Sequence, residues 1–186
     1  MKYQEINLEV KAPISFVFDF ISLHENFQKL NIASSLYECE FIDKDLLEDG
    51  KSVKAGVVYN LKITAKKLTF YLGCLTLAVE KDKLIQYRYI YNDIIDLENP
   101  LMEDFKSTML DSLNATPFEG SWIVKDLGGS TTELKILIEV NGKLSFFKKI
   151  YYWFFRQFPS QDKKEGVRLF KEIKKQIESE YQASNS

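Results

Sequence analysis

Few residues in this sequence have side chains suited to acid–base or metal chemistry. His24 is the only histidine, and it lies in SLHEN between two predicted helices, where we expect an exposed loop and no catalytic role. Cys39 and Cys74 match no metal or redox spacing, which predicts free thiols in a reducing, cytoplasmic location. No His, Cys, Asp or Glu set has metal-ligand spacing, and no glycine-rich phosphate loop is present. We therefore expect neither a metal nor a cofactor.

Length and composition narrow the class of protein. The 186 residues suit one domain with a substantial core. The 25 basic and 27 acidic residues leave a net charge of -2, which excludes the electrostatic attraction that nucleic-acid binding requires. No apolar run is long enough to span a bilayer, and MKYQEINLEVKAP does not have the pattern of a signal peptide.

Apolar and polar residues alternate along several segments, which is the pattern of half-buried strands. Tyr87 and Tyr89 share a face with Ile85 and Tyr91, whereas Arg88 faces the opposite way. Two hairpins are indicated, one across EKDK and one across DLGGS, whose paired glycines allow positive φ. The predicted strands cover residues 3–10, 35–41, 57–65, 68–80, 84–91, 119–126 and 131–140. We expect a long, mostly antiparallel sheet with one apolar face.

Helical spacing replaces this alternation in three places. Pro13 opens a short helix, and a second short turn is predicted over 25–30. A long helix is predicted from Ser160 onward, and it is followed by a polar tail at 182–186. Its apolar stripe consists of Val167, Phe170, Ile173, Ile177 and Tyr181. Because the stripe and the apolar sheet face must both be buried, we predict an α+β fold with the helix on the sheet.

Several local sequences resemble those of the START-like (SRPBCC) superfamily, in particular its polyketide cyclase/dehydrase and lipid-transport branch. They are KAPISFVFDFISLHENFQKLN, Gly56 and Tyr59 in AGVVY, Gly120 and Trp122 in GSWIVKDLGGSTTEL, and GVRLFKEIKKQIE. The resemblance implies one helix-grip domain over residues 1–181. In this fold a curved antiparallel sheet grips a long C-terminal helix, and two short helices follow the first strand.

The resemblance also implies an apolar cavity between the sheet and the long helix. A small hydrophobic or lipid-like ligand would bind there, held in orientation by a few hydroxyl groups. The alternative, a filled core whose tyrosines reach the surface, stays open. The expected cavity lining is Cys39, Tyr59, Leu61, Tyr87, Tyr89, Trp122, Leu134, Ile136 and Phe170.

An enzyme of the cyclase/dehydrase type is the alternative function that the resemblance implies. Tyrosines in such a cavity, here Tyr87 and Tyr89, would polarise carbonyl groups of a substrate. Arg88 is predicted to face away from them, and no acid–base set is visible in the sequence. These observations favour binding without catalysis.

Two further segments are notable: one departs from the family pattern, and the other has an unusual local composition. Residues 93–118 predict an inserted helix or lid near the cavity mouth, with Phe105 and Met109 on one face. Residues 144–158 are rich in aromatic and basic side chains, including Tyr152, Trp153 and Phe155. Three interpretations of this second segment stay open: a lid, a peripheral membrane anchor, and a homodimer contact.

Overall fold

The fold is described by a computed structural model, which covers residues 2–23, 26, 38–42, 52–65, 68–96, 110–111, 114–115, 117–141 and 161–185. The strands in these ranges are β1 (Lys2–Val10), β2 (Glu38–Phe41), β3 (Val58–Ala65), β4 (Leu68–Glu80), β5 (Leu84–Asp96), β6 (Phe118–Gly128) and β7 (Thr131–Val140). The helices are α1 (Ile14–Ser22) and α2 (Gln161–Ser184).

The strands form one antiparallel sheet in the order β1-β7-β6-β5-β4-β3-β2. Neighbours in sequence are neighbours in the sheet from β2 to β7, and β1 joins the free edge of β7. The predicted hairpin between β6 and β7 is present. Gly128, Gly129 and Ser130 all have positive φ there, the conformation for which glycine is best suited.

Alternation along the strands assigns one sheet face to the core. On β7 the side chains of Thr132, Leu134, Ile136 and Val140 are buried, whereas their neighbours in sequence are partly exposed. On β1, Ile6, Leu8 and Val10 are buried while Asn7 and Glu9 are exposed. The buried members of both strands face α1 and α2, so the apolar face of the sheet is also the inner layer of the fold.

The C-terminal half of α2 is held firmly against this face. Ile173 and Ile177 are buried, and the ring of Tyr181 packs edge-on against Phe16 of α1 with 5.2 Å between centroids. The backbone N–H of Lys11 donates to Glu178 Oε1 at 2.8 Å, which links the helix to the end of β1. The half of α2 nearer its N-terminus is less covered, because Val167 and Phe170 are only partly buried.

The α+β class, the antiparallel sheet and the long C-terminal helix predicted from the sequence are confirmed. The first short helix is present as α1, but most of the second, predicted over 25–30, lies outside the described residues. β5 is longer than expected, because it continues to Asp96 and so includes the first residues of the predicted insertion. Phe105, Met109 and all of 144–158 lie outside the described residues, as does His24.

β5 also extends beyond its partner β6. The two strands pair only from Leu84 to Arg88, and Arg88 lies opposite Glu119. Further along β5, the side-chain amide of Asn114 accepts from Tyr91 N–H and donates to Tyr91 C=O, each at 2.8 Å. Asn114 thereby satisfies the backbone of Tyr91 in the way that a neighbouring strand would.

Gly120 allows an aromatic ring to lie directly on β6. It is opposite Tyr87 in the β5–β6 register, and a Cβ atom at this position would lie 2.4 Å from Tyr87 Cε2. Real Cβ atoms do not approach carbon so closely, so glycine is required here by the space that the Tyr87 ring occupies.

We expect Gly120→Ala to lower the free energy of unfolding by about 1–3 kcal/mol, because the added methyl group overpacks the site. Urea unfolding measures the change. In a Tyr87→Leu background the same alanine should cost clearly less, since the ring that it meets is gone. An equal cost in both backgrounds would contradict this explanation of the glycine.

Candidate functional site

The inner face of the sheet carries a row of polar and aromatic side chains across three strands. The Cα register places Tyr59 of β3 opposite Cys74 of β4, and Cys74 opposite Tyr89 of β5. In the adjacent row, Tyr87 of β5 lies between Thr76 and Gly120. These residues are brought together only by strand pairing, because they come from four different strands.

Trp122 forms the floor of the site below α2. It is 3% exposed and lies between Ile85 of β5 and Ile136 of β7 in the register. The ring of Phe170 packs edge-on against it from α2, with 5.5 Å between ring centroids. This aromatic pair is a contact between the less covered part of the helix and the centre of the sheet.

Tyr87 accepts a hydrogen bond from Trp122. The donor is the indole N–H of Trp122, and the acceptor is the Tyr87 hydroxyl oxygen. Tyr87 also shares a side-chain hydrogen bond with Tyr89, and the two rings meet edge-on at 5.5 Å between centroids. Burial raises the pKa of Tyr87 well above its usual value, and these hydrogen bonds only partly oppose that rise.

Tyr59 has a different polar partner. The backbone N–H of Lys54 donates to the Tyr59 hydroxyl at 3.1 Å, across the turn that contains Gly56 with its positive φ. Burial raises the pKa of Tyr59 as well, and the Lys54 hydrogen bond lowers it to a lesser degree. Tyr59 is therefore fixed at the wall of the site by the turn that precedes its own strand.

A group of inward-facing side chains beside this floor is only partly buried. We call it the concave patch, and it consists of Val167, Phe170, Cys74, Tyr89, Tyr91 and Ile138. Cys74 is paired with Tyr89, Ile138 is opposite Gly120, and Phe170 lies on Trp122. Solvent thus reaches the inner face at the patch, while Tyr87 and Trp122 below it are almost fully covered.

The charged side chain of Arg88 on β5 lies on the outer face of the sheet. Arg88 Nε and Nη2 donate to Glu119 Oε1 at 2.8 and 2.5 Å, and Asn141 donates to the other carboxylate oxygen. The Glu119 side chain is only 8% exposed, so this ion pair neutralises a nearly buried carboxylate. The prediction that Arg88 faces away from the tyrosines is confirmed.

Eight of the nine predicted lining residues have described side chains, and all eight belong to the core or pack against it. Six are buried: Tyr59, Leu61, Tyr87, Trp122, Leu134 and Ile136. Tyr89 and Phe170 belong to the concave patch. Cys39 lies on β2 opposite Ile63 in the register, and its side chain is outside the described part. Contact of these residues with a ligand stays a prediction.

The sequence did not single out Cys74 or Val167 as site residues. Cys74 lies within LTFYLGCLTLAVE, whose nearly continuous apolar character hides which residues face inward. For Val167, the sequence pattern indicates only membership of the apolar stripe of the long helix. The signal that identifies Cys74 is its register with Tyr59 and Tyr89, and register is a property of the folded sheet.

In the residues that the structure describes, no three His, Cys, Asp or Glu side chains lie close enough together to hold a metal ion. Neither α1 nor α2 is long and apolar enough to cross a membrane.

Comparison with solved structures identifies the fold. A protein from Chromobacterium violaceum matches with a TM-score of 0.57 at 13% identity, covering 94% of this chain and 96% of its own. A protein from Mycobacterium smegmatis matches with a TM-score of 0.56 at 9% identity, covering 94% and 87%. The ZhuI aromatase/cyclase from Streptomyces sp. R1128 matches with a TM-score of 0.51 at 8% identity, covering 98% and 94%. The predicted START-like fold is confirmed.

No family model matches the sequence. No curated protein matches it either.

The raised pKa of Tyr87 predicts a loss of stability at alkaline pH. The folded state keeps this phenol neutral, whereas the unfolded state ionises it near the usual value of about 10. Folding is therefore disfavoured as the pH rises above that value. Urea unfolding at about pH 9 and pH 11 should show a larger loss for the wild type than for Tyr87→Phe. Equal losses in the two proteins would rule out this contribution.

Proposed function

We propose that this protein binds a small hydrophobic or lipid-like molecule on the concave patch, between the inner face of the sheet and the N-terminal half of α2. One observation carries the proposal: aromatic side chains face inward, yet they are only partly covered by the described residues. Side chains that serve only as core are normally buried more completely, because removing apolar surface from water stabilises the fold.

The composition of the patch suits such a ligand. Phe170, Ile138 and Val167 provide apolar surface, and Tyr89 and Tyr91 provide rings with polar ends. A pocket with mostly apolar walls and a few fixed polar groups is the usual form of a small-molecule site. The floor below the patch is rigid, because Trp122 and Tyr87 are buried and hydrogen-bonded to each other.

We assign no reaction to this site. The ionisable side chains that the described strands place beside the patch are tyrosines and the thiol of Cys74. A phenol with the usual pKa of about 10 is already neutral near pH 7, and burial raises the pKa of Tyr59 and Tyr87 further. The likeness to an aromatase/cyclase concerns the fold, and a fold accommodates many functions. Binding is therefore the function that these residues support best.

The proposal is tested first by detecting a bound ligand and then by filling the patch. Native mass spectrometry of freshly purified protein, followed by extraction, should reveal a bound apolar molecule. Titration with the apolar fluorophore 1-aminoanthracene then gives an affinity.

We expect Cys74→Trp to weaken this binding about tenfold or more, because the indole would occupy the space between Tyr59 and Tyr89.

Leu75→Trp is the matched control. It adds the same bulk one residue along β4, on the outer face opposite Arg88, and should leave the affinity for 1-aminoanthracene unchanged. Circular dichroism checks that both variants fold. If the wild type carries no apolar molecule and does not bind the fluorophore, the proposal is wrong. Unchanged affinity in a folded Cys74→Trp variant would exclude the patch as the binding site.

A further inference from the structure

The inner face of the sheet changes from packed core to concave patch within a few residues along β5. One row of the register, across β5, β6 and β7, consists of Ile85, Trp122 and Ile136. Its members are only 1% to 3% exposed, whereas Tyr89, further along β5, belongs to the partly buried patch. The row between them consists of Tyr87, Gly120 and Ile138. This intermediate row is therefore the inner boundary of the patch.

The Tyr87 ring fills the space above Gly120 in this boundary row. A Cβ atom added to Gly120 would lie 2.9 Å from Cζ and 3.1 Å from the hydroxyl oxygen of Tyr87. The ring thus lies across β6, over the position where any other residue would carry its side chain. The indole N–H of Trp122 donates to the Tyr87 hydroxyl and holds the ring in this orientation.

Members of the concave patch surround this ring. The ring of Tyr89 packs edge-on against Tyr87, with 5.5 Å between centroids. Ile138 lies opposite Gly120, and Phe170 packs on the indole that holds the ring. A molecule that fills the patch therefore meets Tyr87 at its inner end, and the row behind Tyr87 is packed core.

We propose that Tyr87 sets the depth of the ligand site: its ring, lying over Gly120, stops the apolar end of the bound molecule. A smaller residue at this position would admit a longer molecule. This inference rests on the proposed binding function and adds to it the residue that limits ligand length. Tyr87 is the specificity-determining residue, and Gly120 leaves the room that its ring needs.

Removing the ring would extend the patch toward the core. The register places Thr76 on one side of Tyr87 and Ile138 beyond Gly120 on the other, and Trp122 lies behind the ring. Space left by a large-to-small substitution in a core is only partly closed by relaxation, and apolar molecules bind in it. In Tyr87→Ala this space would be continuous with the patch, because Ile138 borders both.

Two probes of different length test the inference: 2-ethylnaphthalene and 2-hexylnaphthalene. Displacement of 1-aminoanthracene from the full chain gives the affinity of each probe. We expect Tyr87→Ala to raise the hexyl-to-ethyl affinity ratio about tenfold above its wild-type value. The physical reason is that the freed space buries about two more methylene groups, each worth about fourfold in affinity.

Two control variants separate depth from general loosening of the fold. Ile177→Ala opens the core under the anchored half of α2. Tyr71→Ala removes the same ring from the outer face of β4, where Tyr71 is opposite Lys62. Both should keep the wild-type ratio. If Tyr87→Ala does not fold, Tyr87→Leu decides, with an expected rise of about fourfold for one methylene group.

The outcomes distinguish this inference from the function on which it rests. An unchanged ratio in the folded Tyr87 variant, its failure to bind the longer probe, or an equal rise in the controls would overturn the inference and leave the binding site in place. A wild type that carries no apolar molecule and does not bind 1-aminoanthracene would overturn the proposed function and the inference together.

Discussion

The structure depends on how the two helices of the described residues cover the inner face of a seven-stranded sheet. Strands are about 4.8 Å apart, so seven of them span about 29 Å, whereas a helix with its side chains is only about 10 Å wide. α1 covers part of β6 and β7, and α2 is anchored through Ile173 and Ile177. Phe170 and Val167 lie where this coverage becomes incomplete. Among the described elements, the concave patch lies where the helices leave part of the wider sheet uncovered.

Buried polar side chains near the patch have hydrogen-bond partners within the protein. Trp122 donates to Tyr87, and the Lys54 N–H donates to Tyr59. On the outer face, Arg88 neutralises Glu119. Because buried polar groups without partners destabilise a fold, these contacts hold the wall of the site in one arrangement. A rigid wall of this kind lowers the cost of ordering side chains when a ligand binds.

The comparisons and the site carry different kinds of information. Identities of 8% and 13% to solved structures establish a shared backbone arrangement, whereas function is decided by the residues on that backbone. Here those residues are tyrosines, a thiol and aliphatic side chains, grouped around one indole–phenol hydrogen bond. The proposed binding function rests on these residues, and the likeness in fold does not decide it.

Much of the fold could be predicted from the sequence because its strongest signals are local. Alternation along β7 identifies Leu134 and Ile136 as inward-facing, and helical spacing identifies Ile173 and Ile177.

The tertiary structure decided which distant residues lie next to each other, because local periodicity contains no information about them. Strand register placed Cys74 between Tyr59 and Tyr89, and it brought Trp122 to Tyr87, 35 residues away. Strand register also determines that β5 and β6 stop pairing after Arg88. Beyond that point, Asn114 forms hydrogen bonds with the backbone of Tyr91. Period and spacing are properties of neighbouring residues, whereas register and helix coverage arise only when distant segments pack together.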